Sequence, residues 1–298
     1  SGGGTGGHIF PAIAIAKAIE QKVDNVEFLF VGAKDRMEME KVPAAGYKIK
    51  GLWISGLQRN LSSRNLLFPF KVLHSIFKAK QIIKQFKPDI AIGTGGYASG
   101  PLLFAASRKG IPSLIQEQNS YPGITNKILS KYVQKVCVAY DNMERFFPKE
   151  KMILTGNPIR QDILGFQSKT QAGEQLFLID KNKPTVLVVG GSLGAKSINN
   201  AIAEKLNLFK EREVNLIWQT GISFQEKAQN KIKDINTKGI SAVTFIKEMD
   251  LAYATADVII SRAGAIAISE LCCVGKSVIL VPSPNVSENH QYKNAQSL

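Results

Sequence analysis

Cysteine is scarce in this 298-residue chain, which holds only three. Cys137, Cys272 and Cys273 form no CxxC pair, which excludes a disulfide-rich secreted scaffold and indicates a reducing compartment. Because Cys272 and Cys273 lie in an apolar helical pattern, we expect both to be small core residues. Long apolar runs are lacking as well: none reaches 18 residues, so we expect no membrane-spanning helix.

Acidic residues are missing from positions 41–88, which hold ten Lys or Arg in a chain of net charge +14. This balance favours an anionic partner. Apolar and basic residues at spacings of three and four predict an amphipathic helix from about Pro69. It is either a domain helix with a solvated basic face or a patch that binds an anionic membrane surface, and the apolar excess before Pro69 favours the patch. The predicted membrane residues are Leu66, Phe68, Phe70, Lys71, Phe77 and Lys78.

Nucleic acid is the less favoured anionic partner, because aromatic residues make up only 8% of the chain and no nucleic-acid-binding motif is present.

Short β-branched runs alternate with helical patterns along the whole chain, which predicts an α/β fold with parallel sheets. The predicted strands are 26–32, 88–96, 111–118 and 135–140, then 184–190, 215–221, 242–246, 256–264 and 277–282. Residues 155–184 break the rhythm and predict a hinge or linker. We therefore expect two tandem Rossmann-like domains with a cleft between them, at residues 1–158 and 184–298, joined by residues 159–183.

Glycine loops precede predicted helices at residues 2–8, 93–101 and 190–195. Such a loop offers backbone N–H groups and a positive helix end, which suit phosphate, although a tight turn alone also needs glycine. Three of them indicate two phosphorylated ligands. Neither a GxGxxG loop with its downstream acidic residue nor GxxxxGK[ST] occurs, which disfavours a nicotinamide or P-loop enzyme.

Seven motifs occur in a characteristic order: GGTGGHIFPAIAIA, GTGGYASGP, QEQN (116–119), GNPIR (156–160), GGSLGA, SRAGAIAISE (261–270) and ENHQYKNA (288–295). Essentially end to end, the chain resembles the MurG family of inverting GT-B glycosyltransferases. The resemblance implies transfer of N-acetylglucosamine from UDP-GlcNAc to lipid I, undecaprenyl-pyrophosphoryl-MurNAc-pentapeptide, to make lipid II for peptidoglycan. It implies no cofactor, and a peripheral location at the cytoplasmic face of the bacterial inner membrane.

His8 is the predicted catalytic residue. An unperturbed imidazole titrates near pH 6.5, so it can take a proton at neutral pH. The resemblance implies that His8 faces the reacting centre, as the base for the acceptor hydroxyl or as a polar positioning group. The alternative is a histidine that merely caps the start of a helix.

The resemblance places the lipid-linked acceptor on the first domain and the nucleotide sugar on the second. Glu270 is expected to hold the uridine ribose; alternatively it is an acid in a first helical turn that stabilises the helix dipole. The residues implied to contact the donor are Thr5, Gly6, Gly7, Asn119, Arg160, Ser192, Ile246, Ala265, Ile266, Ala267, Ile268, Ser269, Glu270 and Gln291. Those implied for the acceptor are Gly95, Gly96, Tyr97 and Glu117, although Glu117 could equally be structural.

Three positions depart from the common family pattern. Ala267 stands where threonine is frequent, which removes a hydroxyl contact to phosphate and leaves the backbone to make it. His290 stands where glutamine is frequent, and Gln116 replaces a histidine.

No DxD pair occurs, which predicts a mechanism without a metal ion. Helix N-termini and Arg160 would stabilise the departing UDP, and closure about residues 155–184 would exclude water. Arg160 could instead form only a hinge salt bridge.

The resemblance also implies that the chain is a fragment, because family members carry a β-strand before the first glycine loop and further helices after residue 298. Other interpretations remain open: a different lipid-acceptor GT-B transferase, a UDP-GlcNAc epimerase, a dehydrogenase, or a non-catalytic membrane-bound protein that binds a nucleotide sugar.

Overall fold

The chain forms two compact units in a computed structural model that describes residues 1–56, 67–163, 165–284, 286 and 289–298. The first unit comprises Ser1–Pro158 with Ser297, and the second comprises Ile159–Gln296 with Leu298.

The first unit alternates helices and strands, as its sequence predicts. Its elements are α1 (Gly6–Glu20), β1 (Leu29–Ala33), α2 (Glu38–Ala44), β2 (Lys48–Leu52), α3 (Phe68–Phe86), β3 (Ala91–Gly93), α4 (Ser99–Arg108), β4 (Ser113–Glu117), α5 (Ile124–Leu129), β5 (Lys135–Val138) and β6 (Met152–Leu154). Strand β1 pairs with β2, and β3, β4, β5 and β6 pair in that order. All of these pairings are parallel, so the carboxyl ends of neighbouring strands lie at one edge of each sheet.

The core of the first unit explains why its strands read as short apolar runs. Leu103, Ile115 and Val136 are fully buried in one cluster. Helix α3 adds Ala79 and Ile82 to that cluster, so only one face of this helix is packed. Parallel strands that are covered on both faces are rich in apolar residues, as Ile115 of β4 and Val136 and Val138 of β5 show.

A groove of about 460 Å³ is lined by residues of β1, α3 and the segment that contains β3. Ser1 lies beside it: the Ser1 carbonyl accepts the Thr94 N–H at 2.8 Å, and Ser1 Oγ donates to the Val31 carbonyl at 2.6 Å. The start of the glycine loop therefore contacts β1 and the residue that follows β3.

The second unit is built on a five-stranded parallel sheet with the order β11-β10-β7-β8-β9. Its elements are α6 (Thr170–Phe177), β7 (Thr185–Val189), α7 (Lys196–Glu204), α8 (Leu206–Glu211), β8 (Asn215–Gln219), α9 (Gln225–Ile235), β9 (Ile240–Val243), α10 (Met249–Thr255), β10 (Val258–Ser261), α11 (Ala265–Val274), β11 (Ser277–Leu280) and α12 (His290–Gln296). Alternate residues face opposite sides: Leu187 and Ile217 lie in one core, Val188 and Trp218 in the other.

Residues 159–183, for which the sequence predicts a hinge or linker, are folded onto the second unit over their described part. They contain two 3₁₀ turns and helix α6. Ile163, Phe166 and Phe177 are buried with residues of β7 and α10. Lys169 Nζ lies 2.6 Å from Asp250 Oδ2. This segment therefore forms part of the hydrophobic core of the second unit. A hinge movement within the segment stays a prediction.

The expectation that Cys272 and Cys273 are core residues is wrong, since both are exposed. Helix α11 buries Ala265, Ile268 and Leu271, which recur every three residues. The two cysteines follow Leu271 directly and therefore lie on the outer face of a helix that is apolar all round.

Candidate active site

The first glycine loop ends where helix α1 begins, and His8 is the third residue of that helix. Thr5 has an extended backbone, and its carbonyl accepts the N–H groups of His8 at 3.1 Å and Ile9 at 3.2 Å. Gly6 and Gly7 form the first turn, where helical N–H groups point out of the helix end. The predicted residues at this loop therefore line a helix N-terminus that suits an anion.

The His8 ring is fixed by a long-range contact rather than by helix capping. His8 Nδ1 lies 3.0 Å from Oε1 of Gln118, 110 residues away in the chain. The His8 carbonyl accepts the Thr94 hydroxyl at 2.6 Å. His8 thus joins α1 to the loops after β3 and β4, and the structure does not support the capping alternative.

The second glycine loop packs directly on the first and on His8. A Cβ atom at Gly95 would lie 2.8 Å from His8 Nδ1 and Cε1, and one at Gly96 would overlap the backbone of Gly3. Both residues have positive φ, at +100° and +84°. Tyr97 follows, and its ring covers Gly56 while 46% of the residue stays exposed. Only glycine allows this approach of two loops. Of the four predicted acceptor residues, Gly95 therefore lies against His8 and Gly96 against Gly3.

Glu38 supports the first glycine loop from below, a role that no sequence signal revealed. Its side chain is fully buried. Oε2 accepts the Gly4 N–H and Oε1 accepts the Ala33 N–H, both at 2.9 Å. A buried carboxylate with two backbone donors is well satisfied, so Glu38 ties the loop to the end of β1.

Glu117, predicted for the acceptor or for structure, is almost fully buried and has both oxygens occupied. Oε1 accepts the backbone and side-chain N–H groups of Asn119, at 3.1 and 3.2 Å. Oε2 accepts the N–H of Gly123 at 3.2 Å and Nδ2 of Asn126 at 2.9 Å. These contacts favour the structural alternative: Glu117 organises the loop that carries Asn119, which is predicted to contact the donor.

In the second unit, the buried residues Glu270 and Tyr253 form a polar cluster with Arg160, whose side chain is half-buried. Arg160 Nε lies 3.2 Å from Glu270 Oε1, and the Tyr253 hydroxyl donates to Glu270 Oε2 at 3.2 Å. Burial raises the pKa of Glu270 above its usual value, although the Arg160 charge opposes the shift. Burial lowers the pKa of Arg160, but the charges of Glu270 and Asp162 and the hydrogen bond to Glu270 together outweigh burial and raise that pKa. The pKa of Tyr253 is raised by burial and by the Glu270 carboxylate.

Glu270 lies in the second turn of α11, whose first turn holds no acidic residue. The alternative role for Glu270, stabilising the helix dipole from the first turn, is therefore excluded. Of the residues before it, Ile268 donates its N–H to the Gly264 carbonyl at 2.9 Å. The hydroxyl of Ser269 donates to the Ala265 carbonyl at 3.1 Å. The backbone N–H groups of Ile266 and Ala267 lie in the first turn of α11, where N–H groups have no acceptor within the helix.

The remaining donor residues of the second unit lie at the ends of its elements. Ser192 is exposed in the glycine turn between β7 and α7. Ile246 is buried as a side chain, and its N–H donates to Gln219 Oε1 at 2.9 Å. Gln291 begins α12 beside His290, and its Oε1 accepts the Ser283 N–H at 2.8 Å. All three follow strands of one parallel sheet, at the edge where ligands of such folds bind.

Helix α3 exposes most of the predicted apolar and basic side chains that lie among the described residues. The exposed fractions of Phe70, Leu73 and Phe77 are 66%, 67% and 62%. Phe68 is half-buried and Lys78 is exposed, whereas Lys71 donates to Ser55 Oγ at 3.0 Å and lies over the Trp53 ring. Trp53 is 44% exposed and extends the patch. Leu66 lies outside the described residues.

Among the described residues, no helix has the length and apolar character needed to cross a bilayer. In the same parts of the chain, no group of three or more His, Cys, Asp or Glu side chains is arranged to hold a metal ion.

Family models match most of the chain: the glycosyltransferase family 28 N-terminal domain over residues 1–138, and the C-terminal domain of the same family over residues 185–298. The UDP-N-acetylglucosamine–N-acetylmuramyl-(pentapeptide) pyrophosphoryl-undecaprenol N-acetylglucosamine transferase of Christiangramia forsetii is 57% identical over 298 residues. The proteins of the same name from Flavobacterium psychrophilum and Cytophaga hutchinsonii are 55% and 56% identical. Each match covers 100% of this chain and 80% of the relative.

Solved structures also match the chain. The crystal structure of Acinetobacter baumannii MurG matches with a TM-score of 0.72 and 33% identity, covering 99% of this chain and 80% of that one. A UDP-GlcNAc 2-epimerase from Neisseria meningitidis matches with a TM-score of 0.61 but 17% identity, over 97% of this chain and 87% of the other, which shows a shared fold alone. The predicted two-domain GT-B fold is confirmed.

Proposed function

The chain belongs to the MurG family and is a glycosyltransferase, and on this premise we propose that it transfers N-acetylglucosamine from UDP-GlcNAc to lipid I, making lipid II for peptidoglycan. The substrates are those in the relatives' names. The structural observation that carries the reaction is His8, an imidazole held between two glycine loops at a helix N-terminus.

The reaction is a single inverting displacement. His8 takes the proton from the 4-hydroxyl of the MurNAc sugar as that oxygen attacks C1 of N-acetylglucosamine. The new C1–O bond forms while the bond from C1 to the UDP oxygen breaks, and the electron pair leaves with UDP. The glycine loops around Gly6 and Gly95 support this proposal because their backbones suit the acceptor pyrophosphate.

Donor binding in the second unit requires Glu270 to exchange partners. Its carboxylate accepts the ribose hydroxyls in place of the Arg160 contact, and Arg160 then faces the diphosphate. A guanidinium there offsets the charge that develops on the leaving group. The N-terminus of α11, Ser192 and Gln291 complete the donor contacts of the second unit.

The transfer needs no metal ion. The absence of a DxD pair supports this proposal, since a metal-dependent transferase commonly uses two carboxylates to hold the ion at the diphosphate. Helix N-termini and Arg160 supply the corresponding positive charge.

The enzyme acts at the cytoplasmic face of the inner membrane, which it contacts through the exposed face of α3. Phe70, Leu73 and Phe77 insert between lipids while Lys78, Lys80 and Lys84 remain with the anionic headgroups.

Vesicle binding tests the membrane contact. Reversal of Lys71, Lys78, Lys80 and Lys84 to Glu is expected to abolish sedimentation with anionic vesicles, because each lysine contributes about 1 kcal/mol at such a surface. The matched control reverses Lys227, Lys231, Lys233 and Lys238 of the second unit, and it should keep most of the binding. Equal losses in both variants would show attraction by net charge alone and overturn the assignment to α3.

The activity is tested with the full-length protein, radiolabelled UDP-GlcNAc and a lipid I analogue in the presence of EDTA. We expect a labelled lipid product in which the new glycosidic bond has the β configuration. Activity that is lost with EDTA and restored by a divalent ion would refute the metal-free mechanism. Release of UDP with an epimerised sugar, or donor binding without any transfer to the lipid, would refute the proposed reaction.

A further inference from the structure

The His8 ring is held by Gln118, a residue for which the sequence predicts no role of its own. Gln118 follows β4 and is 1% exposed. Its Oε1 lies 3.0 Å from His8 Nδ1. Its Nε2 lies 2.8 Å from the Thr94 carbonyl oxygen and 2.9 Å from the Gln116 carbonyl oxygen. The amide thus bridges the imidazole and two strand ends.

The orientation of this amide is determined by its neighbours. Both backbone partners of Nε2 are carbonyl oxygens, which only accept hydrogen bonds. A third acceptor, Oε1 of the Gln116 side chain, lies 2.6 Å from Nε2 of Gln118. If the amide were turned over, its oxygen would face three other oxygens in a buried site, at a high cost in free energy. The NH₂ group therefore faces these acceptors, and the oxygen faces His8.

The Gln116 side chain is itself oriented by a further amide. Its Nε2 donates to Asn157 Oδ1 at 3.0 Å and to the Glu117 carbonyl at 3.2 Å, so its oxygen is left to accept from Gln118. Asn157 Nδ2 in turn donates to the Gln118 carbonyl at 3.1 Å. Each amide in the sequence Asn157, Gln116, Gln118 thus fixes the direction of the next.

A neutral imidazole carries one N–H, and the nitrogen that faces an acceptor must be the one that holds it. We infer that Gln118 is a positioning residue that fixes His8 as the Nδ1–H tautomer. The unprotonated Nε2 is then the atom that takes the proton from the acceptor hydroxyl. This last step rests on the proposed function, whereas the tautomer itself does not.

The tautomer can be measured without substrate. The full-length protein is labelled with ¹⁵N-histidine, and long-range ¹H–¹⁵N correlation spectra are recorded at a pH where the imidazole is neutral. Loss of one signal in His8→Ala assigns His8 among the histidines of the protein, which include His74 and His290. We expect a protonated Nδ1 and an unprotonated Nε2 at His8. Protonation at Nε2 would overturn the inference.

Variants then test whether Gln118 orients the His8 ring or only stabilises the fold. Gln118→Leu removes the acceptor and should shift His8 toward the Nε2–H tautomer, which is the usual one for a neutral histidine side chain in water. We expect kcat to fall roughly 10- to 100-fold with KM little changed, as for other residues that orient a reacting side chain. Gln116→Leu leaves the two backbone carbonyls that hold Gln118, so the Nδ1–H tautomer should persist.

Asn126→Leu is the matched control, because Asn126 is also a buried amide that donates to the Gln116 carbonyl, at 3.3 Å, but it makes no contact with His8. It should lower stability and leave the tautomer unchanged. The same tautomer change in Asn126→Leu and Gln118→Leu would show a general loosening of the core and refute the role of Gln118. If the tautomer is as expected but no transfer occurs, the positioning role holds and the proposed function fails.

Discussion

The two units prepare their candidate sites by different physical means. In the first unit, His8 is surrounded by uncharged groups: two glycine backbones and the amide of Gln118. In the second unit, the centre is an ion pair between the half-buried Arg160 and the buried Glu270. An uncharged frame can hold one geometry through the whole reaction. An ion pair that must also bind a ligand has to exchange one partner for another, so we expect rigidity in the first site and rearrangement in the second.

Gly96→Ala tests the expected rigidity of the site in the first unit. Of all the variants, it should have the largest effect. The new Cβ would overlap the Gly3 backbone, at a φ of +84°. Backbone strain and overpacking together predict a loss of about 2 to 6 kcal/mol in the free energy of unfolding. Denaturant melts of variant and wild type measure it.

The control for Gly96→Ala is Gly110→Ala. Gly110 has a φ of +74° but no atom within 4 Å of the added Cβ, so only strain, about 1 to 2 kcal/mol, is expected. Equal losses in the two variants would contradict the close packing of the glycine loops.

Glu270→Gln tests the expected exchange of partners at the site in the second unit. The amide keeps the shape of the side chain but loses the charge, and each hydrogen bond to a charged group contributes about 1.5 to 3 kcal/mol. We therefore expect the Kd for UDP-GlcNAc, measured by titration calorimetry, to rise roughly 10- to 100-fold.

Asp250→Asn is the matched change for Glu270→Gln, because Asp250 pairs with Lys169 in the same unit but is assigned no donor contact. It should leave the Kd within about twofold of wild type. A similar loss of affinity in both variants would mean that charge in this unit acts at a distance and that Glu270 does not contact the donor.

Asp250→Asn should also change how the free energy of unfolding depends on pH, and this effect is the smallest of those expected. Burial opposes ionisation of Asp250, but the hydrogen bond and charge of Lys169 outweigh it and hold its pKa below the usual value. A lowered folded-state pKa contributes stability above the unfolded value, and this contribution is lost as the pH falls through the folded value. The variant should therefore be less stable than wild type by about 1 kcal/mol at pH 7 and nearly equal to it in acid. A constant difference at all pH values would contradict this ion pair as the cause.

The same contrast explains how much the sequence could predict. Strands β4, β5 and β8 each carry buried apolar residues, so short apolar runs that include β-branched residues locate them. Strand β2, with the sequence KIKGL, carries exposed lysines in alternation, and β6 has only three residues; neither gives such a run. Both were missed for that reason.

Site residues within glycine motifs were found because the backbone itself needs glycine there. Glu38 and Tyr253 were missed, since an acid or a tyrosine in a helix looks the same in sequence whether it faces water or a buried partner. The roles of Gln118 and Asn157 depend on contacts between residues about 40 to 110 positions apart, which only the fold brings together. The core role of Phe166 and Phe177 was hidden in a polar stretch.

The central claim is that the first unit activates the acceptor while the second holds the donor, and His8→Ala tests it most directly. The single-turnover rate of GlcNAc transfer to a lipid I analogue and the Kd for UDP-GlcNAc are measured on the same full-length variant. We predict that the rate falls about 10²- to 10⁴-fold while the Kd stays within about twofold of wild type. A transfer rate close to that of wild type, or a Kd that weakens as much as the rate falls, would contradict the account.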